Sequence, residues 1–595
     1  YLRRVEHRLQ MVHHIRTHVL PEEKGEVNRL AKRLGYRGLD PGGDFLREYR
    51  AHTQAVHRIY AGLFYEREEA EPARDSLSLF FLAMGEEEVA KGRLREAGFQ
   101  DMERAFRNLV SLRDGPPFAH YSQESRKYLA RLAPHLLEAL KEAPDPDQAL
   151  ISFERFVSSI GARTTFLGVL VDNKSVLSLL IRLFGSSEFL TNILIRHPEL
   201  LEVLLEPEVI HRAKTRERMA EELWQGLYTA SGHLERLDAL RRFKKAEELR
   251  IGIRDILGEA SLQETMAALS VVADLCLEAA LEIAQADLKG KYGAPEVISD
   301  EGVRECPGIV VGLGKLGGME LNYASDLDLA FVYGGEGSTS GGERGKISNA
   351  EYFSHLADRM TKAITTITTE GFAYRVDTRL RPGGQKGPLA QPLEAYRRHF
   401  ERLAEVWERQ AYIKARVVAG DRSLGQEFCH LVEEFVYQEP EPDLAYKIND
   451  MRRRMEEERV KERGLHVKLG SGGIVDVEFA IQLLQLQKGF SCPEVRKSGT
   501  LQALKSMEEH GFMGPEERRS LEEAYLFLRR VENRLRIVAD LSIDTLPRSP
   551  MKLNQLARRL GYQEEWGKSP SEHFLADYQT NTLAVGEIYK RVFGL

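Results

Sequence analysis

Between Ile309 and Tyr333 the chain reads Ile-Val-Val-Gly-Leu-Gly-Lys-Leu-Gly-Gly-Met-Glu-Leu-Asn-Tyr-Ala-Ser-Asp-Leu-Asp-Leu-Ala-Phe-Val-Tyr, two apolar runs divided by a glycine-rich turn. The second run is headed by Asp326 and Asp328. Side chains alternate faces along a strand, so the two aspartates share one face and Leu327 and Leu329 the other. Carboxylates held that close repel unless a cation lies between them. Oxygen ligands suit Mg²⁺, which commonly shares its coordination with substrate phosphates, and glycines let backbone N–H groups approach those phosphates. The stretch reads as half of a metal-dependent phosphoryl- or nucleotidyl-transfer site. Three other readings stand beside it. Gly312-Leu-Gly314-Lys-Leu-Gly317 fits a dinucleotide-binding pattern, but that pattern needs a long helix and an acid roughly 20 residues on. A Walker loop needs Gly-Lys-Ser/Thr at its end, which Gly317-Gly318-Met319 does not supply. A surface turn with two solvated aspartates is the plainest alternative.

A third carboxylate decides in favour of transfer. Gly334 to Gly345 is rich in Gly and Ser and reads as a mobile loop. Ser348-Asn-Ala-Glu351 is a capping box opening a helix to about Thr369, with Phe353, Leu356, Ala357, Met360 and Ile364 on one face. Gly371 ends it, and Phe372 to Leu380 reads as a strand carrying Asp377. An aspartate on a neighbouring strand completes a three-carboxylate, two-metal site. Arg379 and Arg381 follow, placed to meet a triphosphate as bidentate donors.

The glycine-turn and Asp-Leu-Asp-Leu stretch, Val376-Asp-Thr-Arg-Leu-Arg-Pro382, Trp407-Glu-Arg-Gln-Ala411 and Lys414-Ala-Arg416 closely resemble the bacterial glutamine synthetase adenylyltransferases, of the nucleotidyltransferase superfamily with a polymerase-beta-like core. Lys468-Leu-Gly-Ser-Gly-Gly-Ile-Val-Asp-Val-Glu-Phe479 resembles the family's second signature. Arg155-Phe-Val-Ser-Ser-Ile-Gly-Ala-Arg163 and His197-Pro-Glu-Leu-Leu201 resemble its helical lead-in. The resemblance implies a mainly α fold with one α+β nucleotidyltransferase core, built on a small mixed sheet and flanked by helical bundle domains. It implies transfer of AMP from ATP to a tyrosine of glutamine synthetase, with Asp326, Asp328 and Asp377 holding two Mg²⁺ ions. Gly314, Lys315, Gly317, Gly318 and Ser325 would cradle the phosphates, although the family often has Gly-Ser where this chain has Gly314-Lys315. PII signal protein and glutamine are the effectors it implies. Phosphorolytic removal of AMP by the same kind of core, and a uridylyltransferase-like regulator, are the alternatives. Against the second, no His-Asp dipeptide occurs, whereas the related uridylyltransferases carry a phosphohydrolase domain whose signature includes one.

At 595 residues the chain is too long for one core. A net charge of −7 argues against a nucleic-acid partner. Cys276, Cys306, Cys429 and Cys492 lie far apart with no Cys-x-x-Cys, so the spacing suggests neither a disulfide framework nor a zinc site. There is no transmembrane-length apolar run and no visible signal peptide, so the expected location is cytoplasmic, with no membrane partner. An internal repeat organises the ends. Leu2-Arg-Arg-Val-Glu-His-Arg-Leu9 matches Leu528-Arg-Arg-Val-Glu-Asn-Arg-Leu535, Leu20-Pro21 matches Leu546-Pro547, and Leu30-Ala-Lys-Arg-Leu-Gly-Tyr36 matches Leu556-Ala-Arg-Arg-Leu-Gly-Tyr562, all at one offset. The repeat reads as a structural helix pair. Its second copy follows a catalytic core and its first begins at Tyr1, as expected for the tail of one module joined to a complete second module, which favours addition of AMP. The expected domains are a helical tail over 1–112, a helical lead-in over 113–295, the catalytic core over 296–436 and a helical bundle over 437–595.

Four further features carry expectations. Charged runs such as Arg241 to Glu248 read as solvated helix faces. Gly470-Ser-Gly-Gly473 with Asp476 and Glu478 reads equally as a loop closing on nucleotide and as a packed helix start. Trp407 and Tyr412 read as core. Lys414 and Arg416 suit phosphate contacts and ion pairs alike.

Overall fold

The computed structural model describes the chain apart from residues 3, 6–7, 10–19, 22, 39, 65–79, 82–86, 116–120, 162–163, 202–210, 300–301 and 460–464. Two compact units are present, Tyr1–Ala73 and Arg74–Leu595.

In the first unit, the helices Lys24–Leu34 and Pro41–Phe64 pack around Val27, Leu30, Ala31, Leu34 and Phe45. Gly35 closes the first helix at φ +100°, and Tyr36 turns edge-on to Phe45 with ring centroids 5.9 Å apart while its hydroxyl donates to Glu48 at 2.6 Å. The second unit repeats each feature. Gly561 takes φ +97°, Tyr562 meets Phe574 at 5.9 Å, and its hydroxyl donates to Asp577 at 2.6 Å. The repeat is therefore a structural helix pair, as its apolar spacing implies. Residues 3, 6 and 7 of the first copy lie outside the described residues.

The second unit is mainly helical, with one small mixed sheet at its centre. Its strands are β1 (Pro295–Ser299), β2 (Gly302–Glu305), β3 (Gly308–Gly312), β4 (Leu327–Tyr333), β5 (Ser338–Thr339), β6 (Val376–Asp377), β7 (Ala390–Pro392) and β8 (Arg416–Gly420). β2, β1 and β5 form a separate antiparallel ribbon. In the main sheet β3 runs antiparallel to both β4 and β8, while β6 and β7 pair in parallel with successive lengths of the outer edge of β4. Period-two alternation sends β4 side chains to two different cores. Leu327, Leu329, Phe331 and Tyr333 join the core shared with the helices Leu262–Tyr292 and Asn349–Thr365. Ala330 and Val332 face the other way, into a core with Tyr396, Phe428, Phe435, Ala480 and Leu483. Asp328 lies on this second face, at the strand's open end. A third core, around Leu521, Tyr525, Leu528 and Phe574, fills the C-terminal bundle.

Three expectations need correction. The helix after the capping box runs Asn349–Thr365 and stops short of Thr369, because Arg241 donates to the carbonyls of Ala363 (3.0 Å) and Thr366 (2.5 Å) and caps its end. The strand expected over Phe372–Leu380 shrinks to Val376–Asp377, since Arg379 folds back onto Asp377 and the chain leaves the sheet. The charged run is not a solvated face: Arg241, Lys244, Glu247 and Glu248 are all buried. Each has a partner. Arg241 also donates to Leu237 and Gly371 carbonyls, Lys244 pairs with Glu248 at 2.7 Å, and Glu247 pairs with Lys214 and Arg250. No described helix is long and apolar enough to cross a membrane.

Candidate active site

β3 ends at Gly312, and the amide of Leu313 donates to the Asp328 carbonyl at 2.9 Å, which aims the glycine turn along the open end of β4. Gly314 to Gly317 form one helical turn. Gly314 has φ +54°, and a Cβ there would stand 2.5 Å from Asp328 Oδ2. At Gly317 a Cβ would fall 1.6 Å from the Lys414 carbonyl oxygen. The turn thus lies directly on Asp328, and only glycine allows the approach. Gly314→Ala is expected to cost about 1–2 kcal/mol for the left-handed conformation alone. Because it also displaces Asp328, transfer should fall at least about tenfold. Thermal melts with kcat/KM measurements check both effects.

Asp328 and Asp377 are register partners across the parallel β4–β6 pair. Asp326 precedes β4 on the same side and is exposed. Burial, and then the neighbouring Asp377 and Asp326 carboxylates, push the Asp328 carboxyl up to about 6 against the pull of Lys468 and Arg379. Asp377 is held below the usual carboxylate range, chiefly by Arg379, whose guanidinium spans both of its oxygens (Nε to Oδ2, 2.8 Å). This arginine therefore neutralises Asp377, and the three aspartates are not closed around one point. A donor set of three carboxylates, one of them raised by its neighbours, fits Mg²⁺.

The phosphate-cradle expectations meet a different arrangement. Lys315 Nζ pairs with the fully buried Glu532 at 2.5 Å. Burial draws the Lys315 ammonium down to about 7, with Arg529 and Arg536 acting in the same direction and Glu532 against it. Glu532 is held far below its ordinary value, because Lys315 and the two arginines outweigh its own burial. Ser325 Oγ accepts from the Asn322 amide at 3.1 Å. The Gly317 and Gly318 amides already donate to the Leu313 and Gly314 carbonyls. Arg381 donates to the carbonyls of Gly387 (3.0 Å) and Pro388 (2.9 Å) and to Thr378 Oγ1 (3.0 Å), so it staples the 378–388 segment and is not turned toward a triphosphate.

What the motif's other residues do is hold the turn. Glu320 accepts from Lys414 (2.8 Å) and from the Thr500 amide (2.6 Å), and its carbonyl accepts from Arg529 (2.5 Å). Asn322 donates to Glu532 at 3.2 Å, and the Leu321 amide donates to Ser270 Oγ at 3.1 Å. Met319 and Ala324 sit at φ +56° and +52°, strain that this clamping sustains. Lys414 also pairs with Glu478 (2.9 Å), and Arg416 with Asp274 (2.8 Å), so both are ion-pair residues, Lys414 buried and Arg416 partly so. Asp476 accepts from Arg452 (2.5 Å) and from the Gly472 amide (2.6 Å) at the start of the Ile474–Lys488 helix. Gly470–Gly473 form a packed helix start, with Asp476 on Arg452 and Glu478 on Lys414. Tyr412 is core, but Trp407 is exposed, with its indole N–H on Glu405.

Sequence reasoning missed Glu320, Arg529, Glu532 and Lys468. Arg529 and Glu532 had a visible signal: they share a helix face with Leu528, Val531 and Leu535, which is odd for charges unless partners are buried with them. Lys468, half-buried in the C-terminal bundle, is a positive charge that lowers both Asp328 and Lys315.

An acidic strand end, a third aspartate in register on the parallel neighbour and a glycine turn resting on Asp328 make one acidic, glycine-lined cluster. Comparison with known proteins is more specific. Residues 177–431 match the model of the family described as glutamate-ammonia ligase adenylyltransferase. Residues 1–64 and 444–593 both match the model described as GlnD PII-uridylyltransferase, so one model covers both copies of the repeat. A bifunctional glutamine synthetase adenylyltransferase/adenylyl-removing enzyme of Thioalkalivibrio sulfidiphilus is 32% identical over 90% of this chain and 56% of its own length. The Streptomyces coelicolor protein of the same name is 30% identical over 100% of this chain and 58% of its own. Residues 177–431 are thus similar to the glutamate-ammonia ligase adenylyltransferase family, and the chain as a whole is similar to those enzymes. It spans little more than half the length of the relatives it matches.

Proposed function

We propose that the chain transfers AMP from ATP to a tyrosine hydroxyl of glutamine synthetase in the cytoplasm, under the control of PII signal protein and glutamine. The observation that carries the reading is the parallel β4–β6 register, which sets Asp328 against Asp377 beneath the glycine turn. Asp326, Asp328 and Asp377 would hold Mg²⁺, two ions being expected. When bound, the metal supplies charge neutralisation at the triphosphate and acidifies the attacking hydroxyl. The chain's own part is positional. Glu320, Asn322 and Glu532 fix the turn so that its backbone would present a constant surface to the nucleotide, and Arg379, which here sits on Asp377, would meet phosphate once metal takes its place there. Lys468, whose charge bears on Asp328, would meet the triphosphate. Lys468→Ala is expected to raise the KM for ATP by about tenfold or more, the loss of one charged hydrogen bond, with a smaller change in kcat. Steady-state kinetics with varied Mg-ATP checks this.

The match to the uridylyltransferase model falls on the helical repeat, whereas the match covering Asp326, Asp328 and Asp377 is to an adenylyltransferase, which supports AMP as the group transferred. A second reading, phosphorolytic removal of AMP, is favoured by the double name of the relatives. Adding phosphate to pre-labelled synthetase separates the two, because only removal releases label as ADP.

A further inference from the structure

Away from the carboxylate cluster, the turn after the Ile474–Lys488 helix brings together three side chains of another kind. Cys492 Sγ, a Glu494 carboxylate oxygen and a His510 ring nitrogen all lie within 4.8 Å of one another, and no other group of three potential ligands does so among the described residues. Cys492 Sγ is 3.2 Å from Glu494 Oε2. We propose that Cys492, Glu494 and His510 form a zinc site that staples this turn to the end of the Thr500–Glu509 helix.

The donors are held in place before any metal arrives. The Cys492 amide donates to the Lys488 carbonyl at 2.9 Å, which ties the cysteine to the preceding helix. The buried Gln485 donates to the carbonyls of Val495 (2.9 Å) and Lys497 (2.7 Å), and Val495 is itself fully buried, so the turn is anchored from beneath. Ser506 joins the two halves: its hydroxyl donates to the Glu494 carbonyl at 2.9 Å, and its own carbonyl accepts from His510 Nδ1 at 2.9 Å. That bond orients the imidazole and leaves the lone pair on Nε2, the usual outer-shell arrangement of a metal-binding histidine. Glu494 and His510 are exposed and Cys492 is partly so, which gives an ion access from solvent.

The donor set selects the metal. Sulfur, nitrogen and one carboxylate oxygen suit Zn²⁺, whose tetrahedral ligand atoms stand about 3.5 Å apart, and they do not suit Mg²⁺. Three protein ligands leave the fourth position to water. On binding, the Cys492 S–H bond breaks, its proton passes to solvent, and the thiolate forms the bond to zinc. The linear sequence hides the site because only one cysteine takes part and His510 comes from the far end of a separate helix.

Cobalt(II) is the probe, used on the full chain in excess Mg²⁺ so that the aspartates are already occupied. The parent chain should show a near-ultraviolet thiolate-to-cobalt band with the visible bands of tetrahedral coordination, at one equivalent, and zinc should bleach both. Cys492→Ser should lose the thiolate band. His510→Gln, a change at an exposed position that leaves the fold intact, should weaken zinc binding at least tenfold in competition with a chelating dye. Cys429→Ser, which removes the exposed cysteine elsewhere, should bind as the parent does. No thiolate band in the parent at saturating cobalt, or a band that survives Cys492→Ser, would overturn the proposal.

Discussion

Asp328→Asn is expected to lower the proposed AMP transfer by at least about 10³-fold and to leave the chain folded, because the amide keeps the shape of the carboxylate and loses its charge. The same substitution has a distinct stability signature. Burial and the adjacent Asp377 raise the Asp328 carboxyl to about 6, above its unfolded value, so the folded state binds more protons than the unfolded state across that interval. Stability from this group is full below about pH 4 and is lost as pH rises through about 6, a loss of about 3 kcal/mol. Without divalent metal, Asp328→Asn should therefore melt higher than the parent at pH 8, with the difference vanishing below about pH 4. Mg²⁺ should stabilise the parent and do little for the variant. Equal responses of the two proteins to Mg²⁺ would remove Asp328 from the metal site.

The second large effect is expected far from the aspartates in sequence. Glu532 is fully buried and its carboxylate receives Lys315 (2.5 Å), Arg536 (3.0 Å) and Asn322 (3.2 Å). Glu532→Ala leaves Arg529 and Arg536 without their shared counter-charge and Lys315 without its partner. Breaking such a cluster from one side costs about 3–5 kcal/mol. The effect should reach the chemistry as well, since Lys315 sits inside the glycine turn and Asn322 in the strained segment that leads to Asp326. Glu532→Gln keeps the volume and one acceptor, so it should lose less stability than alanine while still slowing transfer. Urea unfolding and transfer rates of the two variants decide this. A Glu532→Ala chain with parent stability and rate would show that the turn is held by other means.

These two sites also mark the limit of what the sequence discloses. Asp326, Asp328 and their alternation with Leu327 and Leu329 are legible because a strand's period of two is a local rule. The capping box at Ser348 is legible for the same reason, both of its reciprocal hydrogen bonds being present. What local rules do not carry is the partner supplied by a distant element. Lys315 looks like a phosphate ligand until Glu532 is brought against it from more than 200 residues on. Arg241, Lys244, Glu247 and Glu248 look like a solvated face until Ala363, Thr366 and Lys214 cover them. Arg381, next to an aspartate and an arginine in a signature, turns out to close its own loop. In each case the partner, a buried glutamate for Lys315, Glu248 for Lys244 and backbone carbonyls for Arg241 and Arg381, is something the local charge pattern does not display.

The central claim, transfer of AMP to glutamine synthetase from the site at Asp328 and Asp377, is tested most directly with purified chain, Mg²⁺, α-labelled ATP and unmodified glutamine synthetase. The account predicts label on a synthetase tyrosine, none when the metal is chelated, and none with Asp328→Asn. Label that appears equally with the asparagine variant, or a parent chain that binds Mg-ATP and strips AMP from pre-labelled synthetase with phosphate but never adds it, would contradict it.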